Sequence, residues 1–103
     1  MRIFFDQGTP APLRRWFPEG IVSTSAILGW GDLSNGILIS TAEEAGFDVM
    51  VTTDRNLQYQ QNLSQRKIAI AVILNPAWPI LKERAYEVAA RITSLAPGEY
   101  KEI

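Results

Sequence analysis

The segment that most constrains the fold is a run of seven apolar residues at positions 68–74. A strand with one face in water alternates apolar and polar residues, whereas this run is apolar at every position. Such a strand has both faces buried, which is typical of a parallel sheet covered by helices on each side. The run is also far shorter than the ~20 apolar residues that a membrane-spanning helix needs. It therefore predicts a strand in the interior of a parallel sheet.

The rest of the chain alternates short apolar strands with helices. Strands are predicted at residues 2–6, 21–24, 47–54 and 68–74, with an edge strand at 100–103, and helices at residues 10–17, 34–45 and from 76–79 to about 94. Thr9 followed by Pro10 is expected to cap the first helix, and Leu38, Ala42 and Ala45 are expected to face inward from the second. Strand-helix alternation with short loops predicts an α/β fold with a mainly parallel central sheet flanked by helices, in a single domain over residues 1–103.

The composition excludes several classes of site. The chain has 103 residues with no cysteine and no histidine. Disulfide scaffolds, thiolate zinc sites, histidine-ligated metal sites and Ser-His-Asp catalysis are therefore excluded. Any catalysis must use carboxylates, amides, hydroxyls, lysines or arginines.

Charge is nearly balanced overall but is distributed in blocks. The net charge is −1, so no global basic field attracts nucleic acid. Residues 16–54 contain acids and no base, whereas residues 55–82 contain bases and no acid. These blocks suit solvated faces, which is the expectation for Glu43 and Glu44, and they also suit an acidic site beside a basic rim. The N-terminus becomes polar at Asp6 before a signal peptide could form, which predicts a soluble, cytoplasmic protein without a membrane segment.

Two aspartates end predicted strands. Asp6 follows the first strand and Asp54 follows the third. In parallel α/β sheets, ligands bind beyond the carboxyl ends of the strands, and both carboxylates are expected at that edge. Each could cap a neighbouring loop, but two acids at corresponding positions favour a shared site.

Two chemistries use acids at such positions. A phosphate-accepting receiver domain is rejected, because the fourth strand ends in Leu74-Asn75 with neither the hydroxyl nor the lysine that such a domain requires. A nuclease dependent on a divalent cation remains, since hard oxygen ligands hold Mg²⁺ or Mn²⁺ for phosphodiester cleavage.

Three segments carry a resemblance to a known family. They are FFDQGTP at residues 4–10, TTDRNL at residues 52–57, and GFD at residues 46–48 followed by NLQYQQNL at residues 56–63. In this order and spacing they resemble a small prokaryotic PIN-like family whose members read like LLDENLP in the first strand and TRDRDF later. The resemblance covers residues 1 to about 74. It implies a Rossmann-like PIN-type fold, an acidic Mg²⁺ or Mn²⁺ site and ribonuclease activity, often as the toxin of a toxin–antitoxin pair.

The chain departs from the family at two acids. Asp6 and Asp54 match family acids and are the candidate catalytic pair, but Asn35 and Asn56 stand where the family has further acids. An asparagine carbonyl can ligate a hard cation, so both remain candidate metal ligands, although they add no charge and cannot act as a general base. Asp32 could substitute if its loop folds inward.

Residues around the two acids are candidate substrate contacts. Arg55 directly follows Asp54, Gln7 directly follows Asp6, and Tyr59 lies in an amide-rich run at residues 58–62. That run suits either single-stranded RNA or a polar surface that contacts a partner.

Two functions are expected from these features. The first is a metal-dependent endoribonuclease with a reduced acidic site, acting on RNA, with an antitoxin protein and a second copy of the chain as expected partners. The alternative is a non-catalytic binding module that keeps the PIN scaffold after losing half of its acids.

Overall fold

The computed structural model of the chain describes residues 1–57 and 63–103, and it contains one five-stranded sheet. The strands are β1 Ile3–Phe5, β2 Val22–Thr24, β3 Val49–Thr52, β4 Ala69–Val72 and β5 Tyr100–Glu102. Their spatial order is β2-β1-β3-β4-β5, and every neighbouring pair is parallel. The apolar strand β4 lies between β3 and β5, as a strand with both faces buried requires.

Helices connect the strands and cover both faces of the sheet. The described helices are a 3-10 helix at Ala11–Trp16, α1 Ser25–Leu28, α2 Asn35–Glu44, α3 Trp78–Leu81, a 3-10 helix at Lys82–Arg84, and α4 Ala85–Thr93. One face packs Ile3 and Phe5 of β1 against the first 3-10 helix and α4. The opposite face packs Phe4 against α2. The structure confirms the predicted α/β fold with a parallel sheet flanked by helices.

The strand order creates a crevice between β1 and β3. From β1 the chain passes outward to the edge strand β2, and it then crosses back over β1 to form β3 on the other side. The loops that leave β1 and β3 therefore depart toward opposite faces. In doubly wound sheets, the gap between such loops at the carboxyl edge is where ligands bind.

Local geometry differs from the sequence-based prediction at the first helix. The segment is a 3-10 helix, Pro10 takes its N-cap position, and the Thr9 side chain does not cap it. The Thr9 hydroxyl instead donates to the Val51 carbonyl (2.9 Å), which ties the loop after β1 to β3. The Thr9 hydroxyl, which was expected to cap the helix, thus binds a backbone carbonyl of β3.

The long C-terminal helix is interrupted. Arg84 has φ −107° and ψ 6°, outside helical values, which separates α3 and the short 3-10 turn from α4. The apolar residues that recur at spacings of three and four along this segment, Leu81, Ala85, Val88 and Ile92, are nevertheless buried.

The second helix also ends earlier than predicted. In α2 the expected inward residue Ala45 is exposed, because the helix ends at Glu44 and Gly46 turns the chain with φ +88°. Leu38, Ile39 and Ala42 form its buried side.

Within residues 1–57 and 63–103, no helix combines the length and apolar character needed to cross a lipid bilayer.

Candidate functional site

Asp6 lies directly after β1 at the carboxyl edge of the sheet. Its backbone N–H donates to the Val51 carbonyl (2.8 Å), so the residue continues the pairing of β1 with β3. Its half-buried carboxylate accepts two hydrogen bonds, one at each oxygen: Oδ1 from the Gln7 N–H (2.7 Å) and Oδ2 from the Thr52 hydroxyl (2.9 Å). The side chain is therefore fixed both by its own loop and by the neighbouring strand.

Asp54 lies two residues beyond β3 and is also half-buried. Its Oδ1 accepts from the Asn56 N–H (3.0 Å), and its Oδ2 accepts from Nδ2 of Asn35 (2.9 Å). Asn35 is the first residue of α2, where the positive end of the helix dipole favours a nearby negative charge. The loop after β3 is thus attached to the start of α2.

One threonine hydroxyl joins the two acidic loops. Thr52 is the last residue of β3 and is 1% exposed. Its Oγ1 donates to the Asp6 carboxylate and accepts from the Asp54 N–H (3.2 Å). The structure therefore brings Asp6 and Asp54 to the same crevice and connects them through a single buried oxygen.

The two loops also touch beside this bridge. A Cβ atom built at Gly8 would collide with the hydroxyl oxygen of Thr53, so the backbone after β1 and the side chain after β3 are in close contact. Gly8 does not have a positive φ, so this position requires glycine for its missing side chain and not for its backbone freedom. Asp6, Gly8, Thr52 and Thr53 thus form one packed edge of the crevice.

The acidic pair retains capacity for a cation. An ionised carboxylate has about four lone-pair sites, and each of these two carboxylates accepts two hydrogen bonds from neighbouring groups. The donor set, carboxylate oxygen, is the type that Mg²⁺ and Mn²⁺ prefer. Within the described ranges, however, no three acidic side chains cluster to hold a metal ion.

The two asparagines that were candidate metal ligands contact Asp54 as donors. Asn35 presents its amide nitrogen to the carboxylate, and Asn56 contributes its backbone N–H. Asp32 is exposed, and it does not complete an acidic cluster with Asp6 and Asp54. A role for Asp32 at the site therefore stays a prediction.

The structure describes two of the three candidate substrate contacts. Gln7 and Arg55 are both exposed next to their aspartates, and the Gln7 side chain lies near Gly31 in the loop between α1 and α2. Tyr59 and the rest of the amide-rich run at residues 58–62 lie outside the described residues.

Glu43 has a defined structural contact instead of the expected solvated position. Its carboxylate accepts from the backbone N–H groups of Lys67 (2.6 Å) and Ile68 (3.1 Å), and the Arg66 guanidinium lies 3.9 Å away. Arg66 also donates to the Ser40 hydroxyl of α2 (2.8 Å). Desolvation raises the pKa of Glu43, but the two N–H groups and the nearby positive charges outweigh it and hold the pKa below its usual range.

Sequence reasoning missed Thr52 and Glu43 as partners at these positions. The available signals for Thr52 were its place at the start of the segment TTDRNL and a hydroxyl two positions before an acid near the end of a predicted strand. For Glu43 no signal was available, because its partners are backbone groups 24 and 25 residues away.

Comparison with models of protein families, with curated proteins and with solved structures gives no significant match to this chain.

Proposed function

We propose that the chain is a PIN-like, metal-dependent ribonuclease whose crevice between β1 and β3 binds one Mg²⁺ or Mn²⁺ at Asp6 and Asp54. The observation that carries the proposal is the pair of half-buried aspartates at the carboxyl edge of the sheet, where the Thr52 hydroxyl links the Asp6 carboxylate to the backbone N–H of Asp54. Doubly wound sheets bind ligands at this position, and the remaining lone pairs of the two carboxylates suit a hard cation.

The residues at this site would have different roles. Asp6 and Asp54 would hold the cation, and exposed Arg55 would contact a phosphate of the RNA backbone beside it. When bound, the cation supplies the positive charge that activates water and stabilises the leaving oxygen of a phosphodiester. Gln7 would orient the substrate from the other loop, and no protein side chain would bond covalently to the RNA.

The reduced acidic set predicts weak cation binding. The resemblance implies four acids, whereas only two of the four positions carry a charge here. Asn35 presents an amide nitrogen to Asp54, so its oxygen would reach a cation there only after the amide rotates. We therefore expect low affinity and slow cleavage compared with a site that has four carboxylates.

The wider setting belongs to the same proposal. RNA is the proposed substrate class, and the cytoplasm is the proposed location. The resemblance to toxin–antitoxin nucleases makes an antitoxin protein the proposed partner, with a homo-oligomer as a further form of the chain.

A specific observation favours the second candidate, a non-catalytic interaction module. The Asn35 amide hydrogen bonds to Asp54, and each oxygen of both carboxylates accepts a hydrogen bond from the protein. The two acids therefore have partners without any cation, as they would in a scaffold where they only fix the loops.

Calorimetric titration with Mn²⁺ and Mg²⁺ distinguishes the two candidates. The proteins are the wild type, Asp6→Asn, Asp54→Asn and the control Glu44→Gln, which removes an exposed acid at the end of α2 opposite Asn35. The ribonuclease proposal predicts binding that both crevice variants lose and the control retains, followed by Mn²⁺-dependent RNA cleavage with the same pattern. A folded wild type that gives no heat up to several millimolar cation would leave the interaction module as the function.

A further inference from the structure

We infer that Thr52 is a positioning residue of the proposed cation site, because its hydroxyl holds the two acids in one arrangement. The inference rests on the proposed function and deepens it. It assigns a role to a residue that does not itself need to touch the cation or the RNA.

The hydrogen-bond directions at Thr52 are determined by its partners. The Asp54 N–H can only donate, so it occupies an acceptor position of Oγ1 at 3.2 Å. An ionised carboxylate can only accept, so the hydroxyl proton lies toward Oδ2 of Asp6 at 2.9 Å. The bridge therefore runs in one direction, from the Asp54 backbone through Thr52 to the Asp6 carboxylate.

The bridge connects two positions beyond the strand ends to a position within the sheet. Asp6 and Asp54 lie beyond the ends of their strands, whereas Thr52 is paired in register with Val72 of β4 and its carbonyl accepts from the Ile73 N–H (2.9 Å). Thr52 is β-branched and 1% exposed, so its side chain has little rotational freedom. Both acids thus take their position from the central strand of the sheet.

Removal of the hydroxyl separates the two acids. In Thr52→Val the shape is nearly kept, but Asp6 loses one of its two donors and the Asp54 N–H loses its acceptor. In Thr52→Ser the hydroxyl is retained and the bridge can form. Thr93→Val is the matched control, because it makes the same change at the last residue of α4, where the hydroxyl donates to carbonyls of that helix and not to the acids.

Mn²⁺ titration of these full-length variants tests the inference. We expect Thr52→Val to weaken Mn²⁺ binding by about tenfold or more, as for loss of a charge-assisted hydrogen bond. Thr52→Ser and Thr93→Val should bind like the wild type. Wild-type affinity in Thr52→Val, or equal losses in Thr52→Val and Thr93→Val, would overturn the inference. Thr52→Ala removes the same hydroxyl if Thr52→Val does not fold.

A second measurement separates this inference from the proposed function. Unfolding of the wild type, Thr52→Val, Asp6→Ala and the double variant in metal-free buffer gives the coupling between the two side chains. If the wild type binds no Mn²⁺, the ribonuclease proposal fails, and this cycle alone decides on the bridge. Coupling of about tenfold in the unfolding equilibrium supports it, and additive effects overturn it.

Discussion

The side-chain amide of Asn35 donates a hydrogen bond of 2.9 Å to Oδ2 of Asp54, which joins the first residue of α2 to the loop after β3. The amide nitrogen therefore lies where an acidic residue at position 35 would place a second carboxylate oxygen. Two negative charges at this separation repel each other strongly unless a cation lies between them.

This contact predicts the effect of Asn35→Asp. Without metal, the variant loses the hydrogen bond and brings a second carboxylate close to Asp54, which should lower the free energy of unfolding by about 1–3 kcal/mol. With Mn²⁺, the variant should recover stability and bind the cation more tightly than the wild type. Thermal unfolding with and without Mn²⁺ measures both effects.

The control for this prediction is Asn75→Asp. Asn75 follows the neighbouring strand β4, and its Oδ1 accepts from the Ala77 N–H, a contact that an aspartate retains. Its stability should not respond to Mn²⁺ more than that of the wild type. If Asn35→Asp together with Asn56→Asp produces Mn²⁺-dependent RNA cleavage in a chain whose wild type has none, the natural site is an inactive form of a nuclease site.

The contact of Gly8 with Thr53 predicts a steric effect. In Gly8→Ala the new methyl group collides with the Thr53 hydroxyl oxygen, so we expect a loss of about 1–3 kcal/mol in the free energy of unfolding. Thr53→Ala removes that oxygen, and the double variant should recover most of the loss. Gly31→Ala is a suitable control, because its methyl group would meet only the Gln7 side chain at 3.7 Å. Urea unfolding of the wild type and of these four variants measures the changes in the free energy of unfolding.

Glu43 predicts a pH-dependent contribution to stability. The lowered pKa of its carboxyl in the folded protein means that the ionised form stabilises the fold above the usual pKa of 4.5, and that this stabilisation is lost as the pH falls through the folded-state pKa. Glu43→Gln should therefore be less stable than the wild type by about 1 kcal/mol near neutral pH, with the difference shrinking in acid as the pH falls through the folded-state pKa of Glu43.

Denaturant unfolding near neutral pH and in acid measures this difference in stability, with Glu44→Gln as the control. Glu44 is the exposed neighbour of Glu43 on α2. A difference between Glu43→Gln and the wild type that persists undiminished in acid would show that the charge of Glu43 is not the cause.

Arg55 predicts an effect on RNA but not on the cation. It is exposed immediately after Asp54, so Arg55→Ala should raise KM for RNA by about tenfold, the effect of losing a phosphate contact, while the Mn²⁺ affinity stays unchanged. Arg91→Ala is the control, since Arg91 lies beside Glu99 near the end of α4 and away from the crevice. Equal RNA kinetics in both variants would remove Arg55 from the proposed substrate contacts.

The sheet could be predicted from the sequence because its signals are local. Short stretches of sequence show both the apolar run that contains β4 and the regularly spaced apolar residues of α4. The burial of these residues follows from those patterns. The 3-10 geometry after Pro10 and the break at Arg84 could not be predicted, because small differences in backbone angles decide between helix types.

The candidate site was predictable only in outline. Two aspartates at strand ends imply a common edge once the strands are taken as parallel, and the structure places both there. The direction of the Asn35 amide and the bridge through Thr52 depend on contacts across 19 and 46 residues, which no local pattern encodes. The contacts of Glu43 could not be predicted either, because an acid near a helix end usually lies in water.

The pairing of β1 with β3 also has a consequence for the order in which the protein acquires its site. Ile3 pairs with Val49, and the Asp6–Thr52 bond joins residues 46 positions apart, so neither contact can form until the intervening crossover has closed. Contacts of such long sequence separation form slowly, after local helices. We therefore expect the two acids to remain unconnected in partly folded chains and to meet only when the centre of the sheet is complete, so that a nascent or misfolded chain lacks the site altogether.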